Sequence, residues 1–147
     1  MSVKGVLLDT NVVSELMRKI PDATVLVWFE QQKTARMYTT AITQAEILLG
    51  IALLPDGKRR DGLATAADLM FREDFAKHCL PFEQEAASEY ALVVASRAKS
   101  GFSITTEDAQ IAAIALAHQL PLATRNIKDF RQIEGLTLIN PWAQTNL

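Results

Sequence analysis

A single cysteine, Cys79, is all that this chain offers to thiol chemistry. One thiol excludes an intramolecular disulfide and the stapled scaffolds of small secreted proteins, so a reducing cytoplasm is the expected compartment. Only His78 stands beside it as a base, and Cys79 reads as a buried strand thiol rather than a nucleophile. Long apolar runs are missing as well. None approaches the roughly 20 residues that span a bilayer, which leaves no expected role at a membrane. Met1 to Gly5 leads so quickly into an apolar segment that a signal peptide is not expected. There is no excess of positive charge: 15 Lys and Arg face 17 Asp and Glu, for a net charge of -2. That excludes a nucleic-acid binder working through bulk charge; contact with nucleic acid must come from local patches or a partner chain. No repeat, low-complexity tract or linker interrupts the chain. Residues 1–147 read as one domain, and a hydrophobic share of 49% is enough for a core without staples.

Short apolar segments alternate with helical ones. Val6-Leu7-Leu8 has the unbroken apolar character of a strand buried on both faces. The spacing predicts a helix from Val12 to Met17, capped by Thr10 or Asn11. Another helix starts at Pro21-Asp22 and carries Val25, Leu26 and Phe29. Met37-Tyr38-Thr39 reads as a second strand. Thr43 is expected to open a helix with Ile47, Leu48, Ile51 and Leu54, stopped by Pro55-Asp56-Gly57. A long helix over Arg59 to Lys77 follows. Cys79 to Phe82 reads as a third strand, with Pro81 marking an edge. Glu83 to Lys99 is helical, with Tyr90, Val93, Val94 and Arg97 at helical spacing and Gly101 at its stop. An Ala/Ile-rich helix from Asp108 to Gln119, a strand at Leu122 to Thr124, a helical turn from Asn126 to Arg131 and a strand at Thr137 to Ile139 complete the pattern. Strands alternating with helices predict an α/β fold, a parallel sheet of about five strands between two helical layers.

The acids fall at telling places in that pattern. Asp9 closes the first strand, where a charge needs a partner or solvent. Glu46 and Asp108 each precede an apolar helical run. Parallel strands share one carboxyl-end rim, and ligands bind outside that rim. Three carboxylates converging there would suit Mg²⁺ or Mn²⁺, hard cations that prefer oxygen donors. Each acid also has a plainer explanation. Thr43-x-x-Glu46 matches a capping box, and Thr105-x-x-Asp108 is a shorter-armed variant. Acids in a first turn are favoured by the helix dipole. Capping, however, predicts no common location for the three, whereas a metal site does.

The segment after the fourth strand should reach the same rim. Asn126 would ligate weakly or only cap the next turn. Asp129 would bind metal, directly or through water, or else pair with Arg125 or Arg131. The hydroxyl of Thr124 could orient a water, and Asn11 could brace the loop carrying Asp9. Arg125 and Lys128 are placed to meet an approaching phosphate chain. Lys58-Arg59-Arg60 is a further basic cluster that reads as a solvated face.

Leu8-Asp9-Thr10-Asn11-Val12-Val13-Ser14-Glu15-Leu16, Ala45-Glu46-Ile47, Asp108-Ala109-Gln110-Ile111-Ala112, Ala123-Thr124-Arg125-Asn126 and Asn140-Pro141-Trp142 together resemble a PIN-domain protein. More narrowly, the chain is similar to VapC-type toxins of bacterial toxin–antitoxin pairs and to FitB proteins. Asp-Thr-Asn alone is a weak signal; the ordered set, covering nearly the whole chain, is a specific one. The resemblance implies a small α/β fold, a Mg²⁺- or Mn²⁺-dependent ribonuclease, a homodimer and a cognate antitoxin that binds DNA and wraps the toxin. By motif position Asp9, Glu46 and Asp108 match the family's first three acids. At the fourth, Asn126 stands where many members have Asp, which leaves the fourth ligand open between Asn126 and Asp129.

On this reading Asp9 and Asp108 are the principal ligands, and Glu46 completes the shell or acts as base. Neither His78 nor His118 is needed. Unpaired RNA is the expected substrate form, because an A-form duplex hides its sequence in a deep groove. Helical segments Ile47 to Leu54 and Leu63 to Phe71 are apolar enough to meet another chain or to serve only the core. A haloacid-dehalogenase-type phosphatase would need Asp-x-Asp where Asp9-Thr10-Asn11 stands, and only fragments of a receiver-domain pattern occur. The alternative from a different class is a non-catalytic partner whose acidic pocket only docks an antitoxin.

Overall fold

Gly5 to Leu8 form β1 and all four residues are buried. A strand hidden on both faces must lie inside a sheet. The computed structural model describes residues 5–32 and 34–143, so the expectation for Met1 to Lys4 lies outside the described residues. The remaining strands are β2 (Arg36–Thr40), β3 (Cys79–Leu80), β4 (Leu122–Ala123) and β5 (Leu138–Ile139). They pair in the order β3-β2-β1-β4-β5, every pair parallel. The chain therefore builds outward from β1 in one direction and then returns to its other side. The gap between the carboxyl ends of β1 and β4 is the topological switch point, where open α/β sheets bind ligands.

The pleat of β1 divides the core. Val6 and Leu8 face one cluster with Val12, Val13, Trp28, Ile47 and Phe71. Leu7 faces the other, with Val93, Ile111, Ile114 and Phe130. Helices α1 (Thr10–Leu16), α2 (Ala23–Gln31), α3 (Ala41–Ala52) and α4 (Lys58–Leu69) cover the first face, and α5 (Gln84–Lys99), α6 (Thr106–Ala117) and α7 (Ile127–Phe130) cover the second. This is the three-layer α/β/α arrangement expected from the alternation. Among the described residues no helix is long and apolar enough to cross a membrane.

Several boundaries differ from the expectation, each for a local reason. Asp9, not Thr10 or Asn11, caps α1: its Oδ1 accepts from the Thr10 N–H at 2.8 Å. Thr43 does not open α3. The last residue of β2, Thr40, doubles as the cap and its hydroxyl accepts from the Thr43 N–H at 3.0 Å. Glu46 consequently sits in the second turn and is no capping-box acid. The long helix after Gly57 is α4 followed by a wider turn, Met70–Asp74, closed by Phe75 N–H donating to the Met70 carbonyl at 3.0 Å. That turn lets Met70, Phe71 and Phe75 all face the core. β3 stops at Leu80 because its partner β2 stops at Thr40, and Pro81 has no N–H to continue the ladder.

Thr40 thus joins the sheet to the helix that carries Glu46. Thr40→Ala is expected to lower stability by about 1–2 kcal/mol, the usual cost of losing a cap, while Thr40→Ser recovers most of it. Urea unfolding checks this; an unchanged midpoint for the alanine variant would show that the cap contributes nothing.

Candidate active site

β1 delivers Asp9 to the switch point with 3% of its surface exposed. Its backbone N–H donates to the Ala123 carbonyl at 2.9 Å, which locks it beside β4. Its Oδ2 accepts from the Thr124 hydroxyl at 2.8 Å and from Asn11 Nδ2 at 3.2 Å. Thr124, fully buried, also accepts from the Asn126 N–H at 3.0 Å. Asn11 reaches in the other direction, its Oδ1 accepting from the Arg125 N–H at 3.2 Å. The loops after β1 and β4 are thereby laced together around one carboxylate. Burial pushes the Asp9 carboxyl above its ordinary value. The hydrogen bonds from Thr124, Thr10 and Asn11 oppose that shift and the Glu46 charge adds to it.

Glu46 approaches from α3. The Thr10 hydroxyl donates to Glu46 Oε1 at 2.6 Å and lies 2.9 Å from the Thr43 hydroxyl. A hydroxyl has one hydrogen, and Thr10 gives it to Glu46, so Thr43 is the donor to Thr10. Neither hydroxyl was assigned this task from sequence. The readable signal was Thr43-x-x-x-Ile47-x-x-x-Ile51, a buried helical stripe that begins with a polar group.

Asp108 lies in the first turn of α6, where its N–H donates to the Thr105 hydroxyl at 3.1 Å. Its carboxyl is pushed up to about 6, first by burial and then by the Asp9 charge; the charges of Asp129 and Glu46 push the same way and Thr105 opposes them. Asp108 thus feels the charges of three other acids across the rim. Their oxygens are hard donors, suited to Mg²⁺ or Mn²⁺. Among the described residues no three Asp, Glu, His or Cys side chains stand close enough to enclose an ion. Mg²⁺ ordinarily keeps several waters and takes one or two carboxylates, so a pair such as Asp9 and Asp108 fits it without an all-protein cage.

The residues around the rim are placed as follows. Asn126 occupies the cap position of α7, is exposed, and makes no side-chain cap bond. Asp129 and Lys128 are exposed on α7. The guanidinium of Arg125 lies 5.1 Å from the centre of the Trp142 ring, which ties the loop after β4 to the closing Asn140-Pro141-Trp142 segment. His78 rests against Tyr38, ring centres 4.7 Å apart, and His118 follows the end of α6. Burial raises the Cys79 thiol above its ordinary value, which disfavours the thiolate a nucleophile needs.

A buried strand-end Asp, bridged to the fourth strand by Thr and Asn, agrees with what family comparison finds: the PIN domain matches residues 6–136. The chain belongs to the PIN-domain family. It is 40% identical over 137 residues to the VapC ribonuclease Y4jK of Sinorhizobium fredii, covering 93% of this chain and 97% of that protein. It is 36% identical over 137 residues to the toxin FitB of Neisseria gonorrhoeae, covering 93% and 98% respectively. The crystal structure of FitAcB from Neisseria gonorrhoeae superposes with a TM-score of 0.85 at 35% identity, covering 95% of this chain and 99% of that one.

The raised Asp108 value has a sign that can be measured. An acid whose folded value, about 6, exceeds its ordinary 3.8 is penalised by folding when charged. The penalty is full above pH 6 and is relieved as pH falls toward the unfolded value. In EDTA, Asp108→Asn is therefore expected to stabilise the protein at about pH 7.5 by on the order of 1 kcal/mol, discounted because the carboxyl is partly exposed. The gain should shrink at about pH 5. Urea unfolding at both pH values checks it, and a destabilised variant at the higher pH would contradict a penalty from burial and neighbouring charge.

Proposed function

We propose that this chain is a divalent-metal-dependent endoribonuclease toxin that hydrolyses RNA phosphodiester bonds and is held inactive by a cognate antitoxin. The observation that carries the reading is a buried carboxylate, Asp9, held by Thr124 and Asn11 at the switch point of a parallel sheet, with Asp108 of α6 near enough for its carboxyl to feel that charge. Similarity to a VapC ribonuclease and a FitB toxin supports the same chemistry and the same kind of partner. An RNA-cleaving toxin works where its RNA is, in the cytoplasm.

Asp9 and Asp108 would hold the cation, Mg²⁺ or Mn²⁺, with Asp129 or Asn126 available for a further contact. When bound, the cation supplies Lewis-acid stabilisation of charge developing on the phosphoryl oxygens. Thr124 and Asn11 orient the Asp9 carboxylate, leaving it little freedom to rotate away. Thr10 holds one oxygen of Glu46, and that carboxylate would serve as the base on a water attacking phosphorus. Arg125 and Lys128 offset the negative rim as the RNA chain approaches. Arg125 is pre-positioned by Trp142.

Two surfaces suit protein partners. Beside Glu46 an open groove of about 880 Å³ is lined by Met17, Ile47, Ile51 and Leu63, with Lys58 and Arg59 at its edge. It offers the antitoxin an apolar seat next to the acids. Leu48 and Leu49 on α3, Leu53 just after it and Leu69 on α4 are exposed and apolar, as a homodimer contact would be.

The test is RNA cleavage by purified, antitoxin-free protein. Cleavage of a tRNA and rRNA pool is expected with Mg²⁺ or Mn²⁺, to be abolished by EDTA and reduced by roughly 100-fold or more in Asp9→Asn and Asp108→Asn. Metal binding by a folded protein that cuts no RNA would instead support the non-catalytic partner. Cleavage that survives both EDTA and the substitutions would overturn the carboxylate mechanism.

A further inference from the structure

We infer that Arg97 is a positioning residue for the nuclease site, tying the segment that leads into Asp108 to the turn that follows Asp129. This rests on the ribonuclease reading above and adds a residue that the reading does not use. Arg97 has 4% of its surface exposed. Among the described residues no carboxylate pairs with it. Its Nη1 donates to the Arg131 carbonyl at 2.6 Å and its Nη2 to the Ser103 carbonyl at 2.8 Å, while its Nε has no partner. A charge so buried and without a counter-ion is costly, and an apolar side chain of similar volume would serve a merely packed core as well or better. What the guanidinium adds is a rigid fork of donors that can hold two carbonyls at once.

The local backbone prepares the fork. α5 ends in a Schellman turn: Gly101, at φ +78°, donates to the Ala98 carbonyl at 3.2 Å, and Phe102 donates to the Arg97 carbonyl at 2.9 Å. That turn folds the Phe102 ring over the guanidinium at 5.4 Å and brings the ring within 5.7 Å of the Arg131 guanidinium. The charge also sits in the last turn of α5, where the helix dipole favours a cation.

Both tethered carbonyls belong to segments that lead to or from site residues. Ser103 precedes Thr105, whose hydroxyl accepts from the Asp108 N–H. Arg131 follows α7, a four-residue helix that carries Asp129 and is too short to hold its own position. Without the fork, α6 and α7 keep their cores but lose the link that sets one acid against the other.

The experiment compares Arg97→Lys and Arg97→Met with the unsubstituted protein, each shown folded by circular dichroism. Three readouts are taken: RNA cleavage kinetics, Mn²⁺ binding by electron paramagnetic resonance, and amide hydrogen exchange. The expected result is a kcat lowered about 10- to 100-fold with KM for RNA within about twofold, and Mn²⁺ affinity weakened by about tenfold. Exchange should quicken over residues 103–108 and 127–131 but not in β1 or α3. Folded variants with unchanged kcat, Mn²⁺ affinity and exchange would overturn the proposal, as would a raised KM with unchanged kcat. If the unsubstituted protein neither cuts RNA nor binds Mn²⁺, the ribonuclease reading fails, and the exchange pattern alone decides the tether. Should both Arg97 variants unfold, Phe102→Leu takes their place, removing the ring shared by the Arg97 and Arg131 guanidinium groups. A kcat lowered several-fold with faster exchange over the same segments supports the tether, and no change overturns it.

Discussion

Burial, with the neighbouring acids' charges added to it, disfavours ionised carboxylates at Asp9 and Asp108, and the structure is arranged to hold both at the rim despite it. Sheet order sets the place: β1 sits at the centre, β4 returns to its side, and their carboxyl ends form the switch point that Asp9 lines. Donors then hold the geometry. Thr10, Thr124 and Asn11 surround the Asp9 carboxylate, and Thr105 steadies the backbone at Asp108. The Asp108 carboxyl still rises to about 6, through burial first and the Asp9 charge second. A rim electrostatically unfavourable at neutral pH is what the proposed cation would relieve, and without that cation it costs some stability.

Much of this was legible in the sequence, and what was not is instructive. Asp9 could be read because a charge directly after Val6-Leu7-Leu8 has few uses in a buried strand. The alternation of strands and helices predicted the layers, and Pro81 marked the edge strand. Glu46 was placed on the right helix as a site acid, and only its plainer alternative, the capping box, fails. The Thr43-x-x-Glu46 spacing imitates a capping box, while the real cap, Thr40, was hidden because it also ends β2. Local patterns cannot tell such a cap from its imitation; the pairing of β2 with β1 decides it.

The hydroxyl relay from Thr43 through Thr10 to Glu46 joins residues far apart in the chain, and no local spacing announces it. Arg97 illustrates the same limit. From sequence it was one member of a helical stripe beside Tyr90, Val93 and Val94. Its burial and its two carbonyl partners follow from how α5 packs against the segments around α6 and α7. What sequence conveys well is which residue types are available for chemistry; which of them meet depends on strand order and helix packing.

The account stands on the claim that the Asp9 and Asp108 carboxylates hold a divalent cation at the switch point. Anomalous diffraction from a crystal of the antitoxin-free protein soaked in Mn²⁺ tests it most directly. The expected result is one strong peak between the two carboxylates, with direct oxygen contacts of about 2.0–2.2 Å, lost in Asp108→Asn crystals. A full-strength peak elsewhere, or none at the rim when Mn²⁺ is present in excess at neutral pH, would contradict it.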